Sequence, residues 1–180
     1  MNETPDYPPR DAWIAKVTFA LADIPSLLGQ QFAGDWLTIE QETIPLFDRA
    51  TYVNDDNAGY DLSTYPAGMF EGLHTLGMIW PLVESGFQIM DTSAMGLVYG
   101  FDNVRFTSPV HANQRLRARG VVSQVKERGD GYLVLVSVIV DIDGQDKPAY
   151  VAEWWVFYQP TDILDLRPPE ATVARGDHDH

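Results

Sequence analysis

PAGMFEGLHTLGMIWPLVES, residues 66–85, is the stretch on which the fold turns. Phe70, Leu73, Leu76, Ile79, Trp80 and Val83 recur at helical spacing, and Ala67, Met69, Met78 and Leu82 fill most of the remaining circumference. A helix that is apolar on nearly every side is buried in a core, so the spacing predicts one long central helix from about Pro66 to Glu84. Pro81 has no N–H to give the ladder and is expected to bend this helix or end its regular part near Trp80. Glu71 and His74 are the only ionisable side chains before Glu84, and at i, i+3 they share a face.

Downstream the pattern changes from helical to extended. Leu97 to Phe106, Leu116 to Val125, Tyr132 to Ile142 and Ala149 to Tyr158 are rich in Val, Ile, Leu and aromatics. Two of the breaks carry hairpin dipeptides, Asp130-Gly131 and Asp143-Gly144. Long antiparallel strands in a meander follow from this, and helices preceding strands make the class α+β, with an antiparallel sheet over a central helix. Upstream, Ala22 to Phe32 reads as a short helix with Asp23 as N-cap and Pro25 in its first turn. Trp36 to Ile39 reads as a short strand. Thr38 and Gln41 have the capping-box spacing for a helix running to about Thr51. From Tyr52 to Tyr65 the sequence YVNDDNAGYDLSTY is dense in Asn, Asp, Gly and Ser, a loop long enough to suggest function.

The 180 residues fit one domain with a sizeable core about 20–160; residues 1–12 and 167–180 read as flexible ends. The absence of cysteine excludes a disulfide framework, a cysteine nucleophile and a thiolate metal site. The opening MNETPDYPPR has no basic region followed by an apolar stretch, and no run reaches bilayer length, so a cytoplasmic protein with no membrane partner is expected. Twelve Lys and Arg against 26 Asp and Glu give a formal charge of −14, which argues against nucleic acid. Half of the cations, Arg105, Arg115, Arg117, Arg119, Lys126 and Arg128, fall within 24 residues. On a strand, Arg115, Arg117 and Arg119 point to one face. That face suits either phosphate binding or solvation.

LLGQQFAGDWLTIEQETIPLFDRAT, residues 27–51, and YGFDNVRFTSPVHANQRLRARGVV, residues 99–122, together resemble the MaoC-like and nodulation-protein-N-like acyl dehydratases, the second with its Tyr-Gly, Val-Arg-Phe and Pro-Val landmarks. The resemblance implies a hot-dog fold over roughly residues 20–160 and an (R)-specific enoyl-CoA hydratase type of lyase, acting on a coenzyme A or phosphopantetheine thioester without another cofactor. It also implies a homodimer or a pair of unlike hot-dog subunits. The family's site has an Asp, four residues and a His in the loop before the central helix, then His-Gly at the helix start.

This chain departs from that pattern. The loop holds Asp55, then DNAG, then Tyr60, so the spacing is kept and the His is not; a strict count from Phe47 and Thr51 places Val53 and Ala58 there instead. At the helix start Phe70-Glu71-Gly72 replaces Ala-His-Gly. Asp55 and Tyr60 are therefore expected in the old dyad positions, with Glu71 and His74 added from the helix as acid/base groups. Gly72 either lets backbone N–H groups approach a thioester oxygen or packs the helix closely on the sheet. Arg105 matches the family's strand arginine and is expected to find a carboxylate in Asp48, Asp55 or Glu71; with Arg117 it is also assigned to substrate binding. Asp55, Asp56, Asn57 and Asp61 lack the closing Glu of a calcium loop, and His178 and His180 in the tail are not expected to hold metal. Other functions open to the same residues are a hot-dog acyl-CoA thioesterase using Glu71, and a non-catalytic acyl-binding or partner subunit.

Overall fold

The structure is a computed structural model, and it describes residues 15–53 and 66–161. A meander of long antiparallel strands dominates it: β8 (Arg115–Arg128), β9 (Gly131–Ile142) and β10 (Tyr150–Pro160). β6 (Ala94–Phe106) lies against the far side of β10, and β2 (Gln31–Ala33) lies against β8. The spatial order is β2-β8-β9-β10-β6, with β3 (Leu37–Thr38) also paired to β8. Two small pairs complete the strands: β1 (Val17–Phe19) runs parallel to β5 (Phe87–Ile89), and β4 (Met69–Phe70) runs antiparallel to β7 (Val110–His111). The helices are α1 (Thr43–Thr51), α2 (Gly72–Gly77) and α3 (Ile79–Glu84), so the expected α+β class holds.

Alternation along the strands builds the core. Val134, Val136, Val138, Val140 and Ile142 of β9 point inward with Tyr150, Ala152, Trp154, Val156 and Tyr158 of β10 and Leu116, Ala118 and Val122 of β8. Ile79, Leu82 and Val83 of α3 close over them. Burying a side chain of this size contributes about 1.5–3 kcal/mol, and this layer holds the helix segment to the sheet.

The central helix is shorter than its apolar periodicity predicts. Gly68 takes φ +73 in the turn after Pro66, and Met69 and Phe70 pair with His111 and Val110. Pairing to β7 keeps the backbone extended through Glu71 (φ −66, ψ 149), so helix starts only at Gly72. It is also interrupted at Met78 (φ −83, ψ 0), because Pro81 has no N–H to offer the carbonyl of Gly77 and its ring crowds that carbonyl.

Three other expectations are corrected. Leu21–Leu27 is a 3-10 helix, with Ala20 as N-cap and its N–H donated to Asp23 Oδ2 at 2.9 Å; the chain then leaves to pair with β8 and does not continue helical to Phe32. Thr38 does not cap a helix, since it pairs with Arg115 on β3, and Glu42 stands at the N-cap of α1. The first hairpin turns on Gly129-Asp130, with Gly129 at φ +57, one residue before the expected dipeptide. Gly131 is already strand, paired with Arg128, and its lack of a side chain serves close packing, since a Cβ there would lie 2.2 Å from the Tyr158 carbonyl oxygen.

Candidate functional site

Glu71 is the last extended residue before α2, and its carbonyl accepts the Thr75 N–H at 3.1 Å. Thr75 is buried and donates its hydroxyl to the Gly72 carbonyl at 2.8 Å. From the sheet, the hydroxyl of the fully buried Tyr150 donates to the Thr75 carbonyl at 3.2 Å. These bonds tie the first turn of α2 to β10, so the positions of Glu71 and Gly72 are set by the sheet and not by a free loop.

Glu71 is half-buried, and burial together with the negative charge of Asp48 raises its proton affinity from the ordinary glutamate value. His74 is 8% exposed. Its ring is stacked on Phe47 of α1 at 4.5 Å and 9° and meets the edge of Phe70 at 4.9 Å and 68°. Burial lowers the proton affinity of the imidazole, and the charge of Asp48 opposes this without overcoming it. Glu71 and His74 form no hydrogen bond or ion pair with each other: the carboxylate lines a cavity, while the imidazole is enclosed by aromatic rings.

Asp48 is the residue that sequence reasoning named only as a partner for Arg105. On α1 the side chains of Ile44, Phe47 and Asp48 fall at i, i+3 and i+4 and form the half-buried inward face with Thr43. A carboxylate on the inner stripe of an amphipathic helix was the available signal.

Two cavities flank the segment that carries Glu71. One of about 170 Å³ is lined by Ile44, Asp48, Pro66, Ala67, Gly68, Met69 and Glu71. The other, of about 300 Å³, is lined by Met69, Phe70, Gly72, Thr75 and the run Phe106 to Val110. Met69 belongs to both. At Gly72 a Cβ would stand 3.0–3.1 Å from the Phe106 ring, so close packing of that ring uses the missing side chain.

The arginines separate into two groups. Arg119 donates to Asp141 Oδ2 at 2.8 Å, Arg117 reaches the same carboxylate at 3.9 Å and lies over Trp36 at 4.7 Å, and Arg115 pairs with Asp143. Two aspartates, Asp141 from β9 and Asp143 from the turn after it, thus face three arginines and offset most of their charge. Arg105 is exposed and donates to its neighbour's carbonyl, Val104 O, at 2.8 Å. Among the described residues no carboxylate pairs with it, contrary to the expectation for Asp48 or Glu71. Asp55 and Tyr60, the alternative position Ala58, the Asp56-Asn57-Asp61 loop, and His178 and His180 all lie outside the described residues; Val53 does not, and stands directly after the left-handed Tyr52 that ends α1. Among the described residues there is no group of three or more His, Cys, Asp or Glu arranged to hold a metal, and no helix long and apolar enough to cross a membrane.

No protein-family model matches the chain. Individual relatives do. Nodulation protein N of Rhizobium leguminosarum bv. viciae is 36% identical over 148 residues, covering 78% of this chain and 91% of the relative. The 3-hydroxyacyl-thioester dehydratase Z of Mycobacterium tuberculosis is 30% identical over 145 residues, covering 77% and 95%. Among solved structures, the MaoC-like dehydratase from Rhodospirillum rubrum superposes with a TM-score of 0.58 at 16% identity, covering 79% of this chain and 97% of that one. The C-terminally truncated HadBC (3R-hydroxyacyl-ACP dehydratase) complex of M. tuberculosis gives 0.51 at 15%, covering 73% and 96%. The structural likenesses establish the hot-dog fold, the sequence likenesses establish kinship, and the chain therefore belongs to the family of nodulation protein N and the MaoC-like dehydratases.

Proposed function

We propose that this protein is a carbon–oxygen lyase that adds water to, or removes it from, the C2–C3 bond of an acyl thioester, with Glu71 as a proton-carrying group. The observation that carries the reading is the place of Glu71, half-buried at the entry to α2 and lining a cavity with Asp48, where burial and the charge of Asp48 raise its proton affinity. A raised proton affinity is the direction that favours the acid role of a carboxyl group. Kinship with a dehydratase of 3-hydroxyacyl thioesters supports the reaction class.

In this reading the reacting C2–C3 segment lies in the cavity of about 170 Å³ that Glu71 lines, and the rest of the acyl chain runs toward the neighbouring cavity of about 300 Å³, which shares Met69 with it. Arg105, exposed one residue before Phe106 and without a carboxylate partner among the described residues, meets the phosphates of a coenzyme A or phosphopantetheine carrier. Arg117 is held by Asp141 and Trp36 and contributes little to that binding. His74 stays neutral and serves by fixing α1 against α2. Asp55 and Tyr60, outside the described residues, remain candidates for further acid/base groups on the strength of the resemblance alone.

The protein works as a dimer or with a second hot-dog subunit. Among the described residues β6 is bonded on one side only, to β10, and it exposes Leu97, Val98, Tyr99 and Phe106, an apolar edge that a further strand would cover. The paired subunits of the HadBC complex support this arrangement.

The test is a panel of trans-2-enoyl and 3-hydroxyacyl thioesters. Interconversion of the two classes without release of free thiol supports the lyase. Release of thiol with the enoyl group intact would assign a thioesterase, and tight binding without turnover of any member would assign a non-catalytic acyl-binding subunit.

A further inference from the structure

Helix α1 has one inward face, and that face carries a carboxylate. Ile44 and Asp48 form one wall of the cavity of about 170 Å³, and Glu71, at the end of the extended segment before α2, belongs to the same lining. The stack of Phe47 on His74 locks α1 in this orientation, since Phe47 and Asp48 are consecutive. Two acidic residues from different elements therefore line one small cavity, their elements held by an aromatic contact on one side and the Tyr150–Thr75 bond on the other.

We propose that Asp48 and Glu71 form the acid/base pair of this site, with Asp48 as the base that takes the C2 proton and Glu71 as the acid that protonates the leaving hydroxyl. The inference rests on the lyase reading above and adds to it a second reacting group. In the dehydration direction the ionised Asp48 removes the proton from C2 of a 3-hydroxyacyl thioester. The electron pair of that C–H bond forms the C2=C3 double bond, the C3–O bond breaks, and the hydroxyl leaves with the proton of Glu71 as water. Asp48 ends protonated and Glu71 ionised. Transfer of the proton from Asp48 to Glu71 restores the starting state, so nothing is oxidised or reduced and no co-reactant is consumed. Hydration is the same sequence in reverse.

The division of roles follows from the surroundings. Glu71 is desolvated and feels the negative charge of Asp48, and both effects favour its protonated form. A neighbouring negative charge disfavours ionisation of a carboxyl group, and Glu71 is the one of the two that is also desolvated, which gives it the acid role and leaves the base role to Asp48. Among the described residues, Asp48 and Glu71 are the ionisable side chains in the lining of this cavity. His74 on α2 is enclosed by Phe47 and Phe70. His111 on β7 stands opposite Met69 and is half-buried, and Arg49 on α1 is exposed on the outward side.

The test uses the full chain and two substitutions on α1, Asp48→Asn and Asp48→Glu, assayed with the thioester panel. Because Asp48 is only half-buried on a surface helix, Asp48→Asn is expected to fold. Its kcat is expected to fall by about 10²–10⁴ with little change in KM, as for loss of a general base, and Asp48→Glu is expected to recover part of the loss. In 13C NMR of the Glu side-chain carboxyls, the Glu71 midpoint is expected to move to lower pH in Asp48→Asn. An active wild type with an Asp48→Asn variant of equal kcat would overturn the pair while leaving the lyase intact. A Glu71 midpoint that does not move would also overturn it. A wild type inactive on every thioester would instead overturn the lyase reading and the pair with it.

Discussion

The imidazole of His74 lies flat on the ring of Phe47, centroids 4.5 Å apart and planes 9° from parallel. This contact joins α1 to α2, and α1 has few others: none of its residues is fully buried. An aromatic pair of this kind contributes about 0.5–1.5 kcal/mol beyond its area. Phe47→Leu is therefore expected to lower unfolding stability in urea by about 1 kcal/mol. The amides of α1 are expected to exchange with solvent faster while those of β9 do not, and uniform protection in both elements would show that α1 is anchored elsewhere.

The same imidazole gives stability a pH dependence. Burial makes folded His74 bind its proton less tightly than the unfolded chain does, for which 6.5 is the reference. Below 6.5 the unfolded state takes up the proton first, so stability is fully present above 6.5 and is lost as pH falls through it toward the folded value. His74→Phe removes the titrating group and keeps a ring. Its urea midpoint is expected to fall less than that of the wild type across this window.

Glu71 acts with the opposite sign. Its carboxyl is raised above 4.5, so the folded state binds the proton more tightly than the unfolded one. The resulting stability is present below 4.5 and is lost as pH rises through the folded value. Glu71→Gln is expected to melt higher than the wild type at neutral pH, with the gain vanishing below 4.5. A variant less stable than the wild type at neutral pH would contradict this assignment of Glu71. A gain in stability joined to a loss of turnover is the signature of a strained functional group.

Much of the fold was legible in the sequence because its signals are local. The valine alternation of β9 and the aromatic alternation of β10 define an inner face, and the strand bounds follow within a few residues. The central helix was read too long because apolar periodicity cannot distinguish a buried helix from a buried strand of Met69 and Phe70. What decides between them is pairing with Val110 and His111, some forty residues downstream. The site was legible only in part. Glu71 and His74 were found as the ionisable groups of an apolar stretch, but their spacing of three suggested a mutual contact that the N-cap position of Glu71 removes. Asp48 was missed because its relation to Glu71 depends on how two distant elements pack.

On the outer face of the sheet, Asp141 is fully buried between Arg119 and Arg117, whose side chains are 9% and 17% exposed. Asp141→Ala deprives both guanidinium groups of their shared carboxylate. Breaking a buried pair from one side costs about 3–5 kcal/mol, and equilibrium unfolding is expected to show a loss in that range. A loss no larger than that of an exposed ion pair would show that solvent reaches these arginines.

Val98, 54% exposed on β6, reports on assembly. Val98→Glu puts a charge on the apolar edge and is expected to shift the protein toward monomer in sedimentation at concentrations where the wild type is associated. A wild type that is monomeric at every concentration would contradict the proposed pairing.

The most direct test of the lyase is hydration of a trans-2-enoyl-CoA by the purified wild type and by Glu71→Gln, with both proteins first shown to be folded. The expected result is measurable formation of 3-hydroxyacyl-CoA by the wild type and a fall in kcat of about 10²–10⁴ in the variant. Equal rates in the two proteins, or no hydration by the wild type, would contradict it.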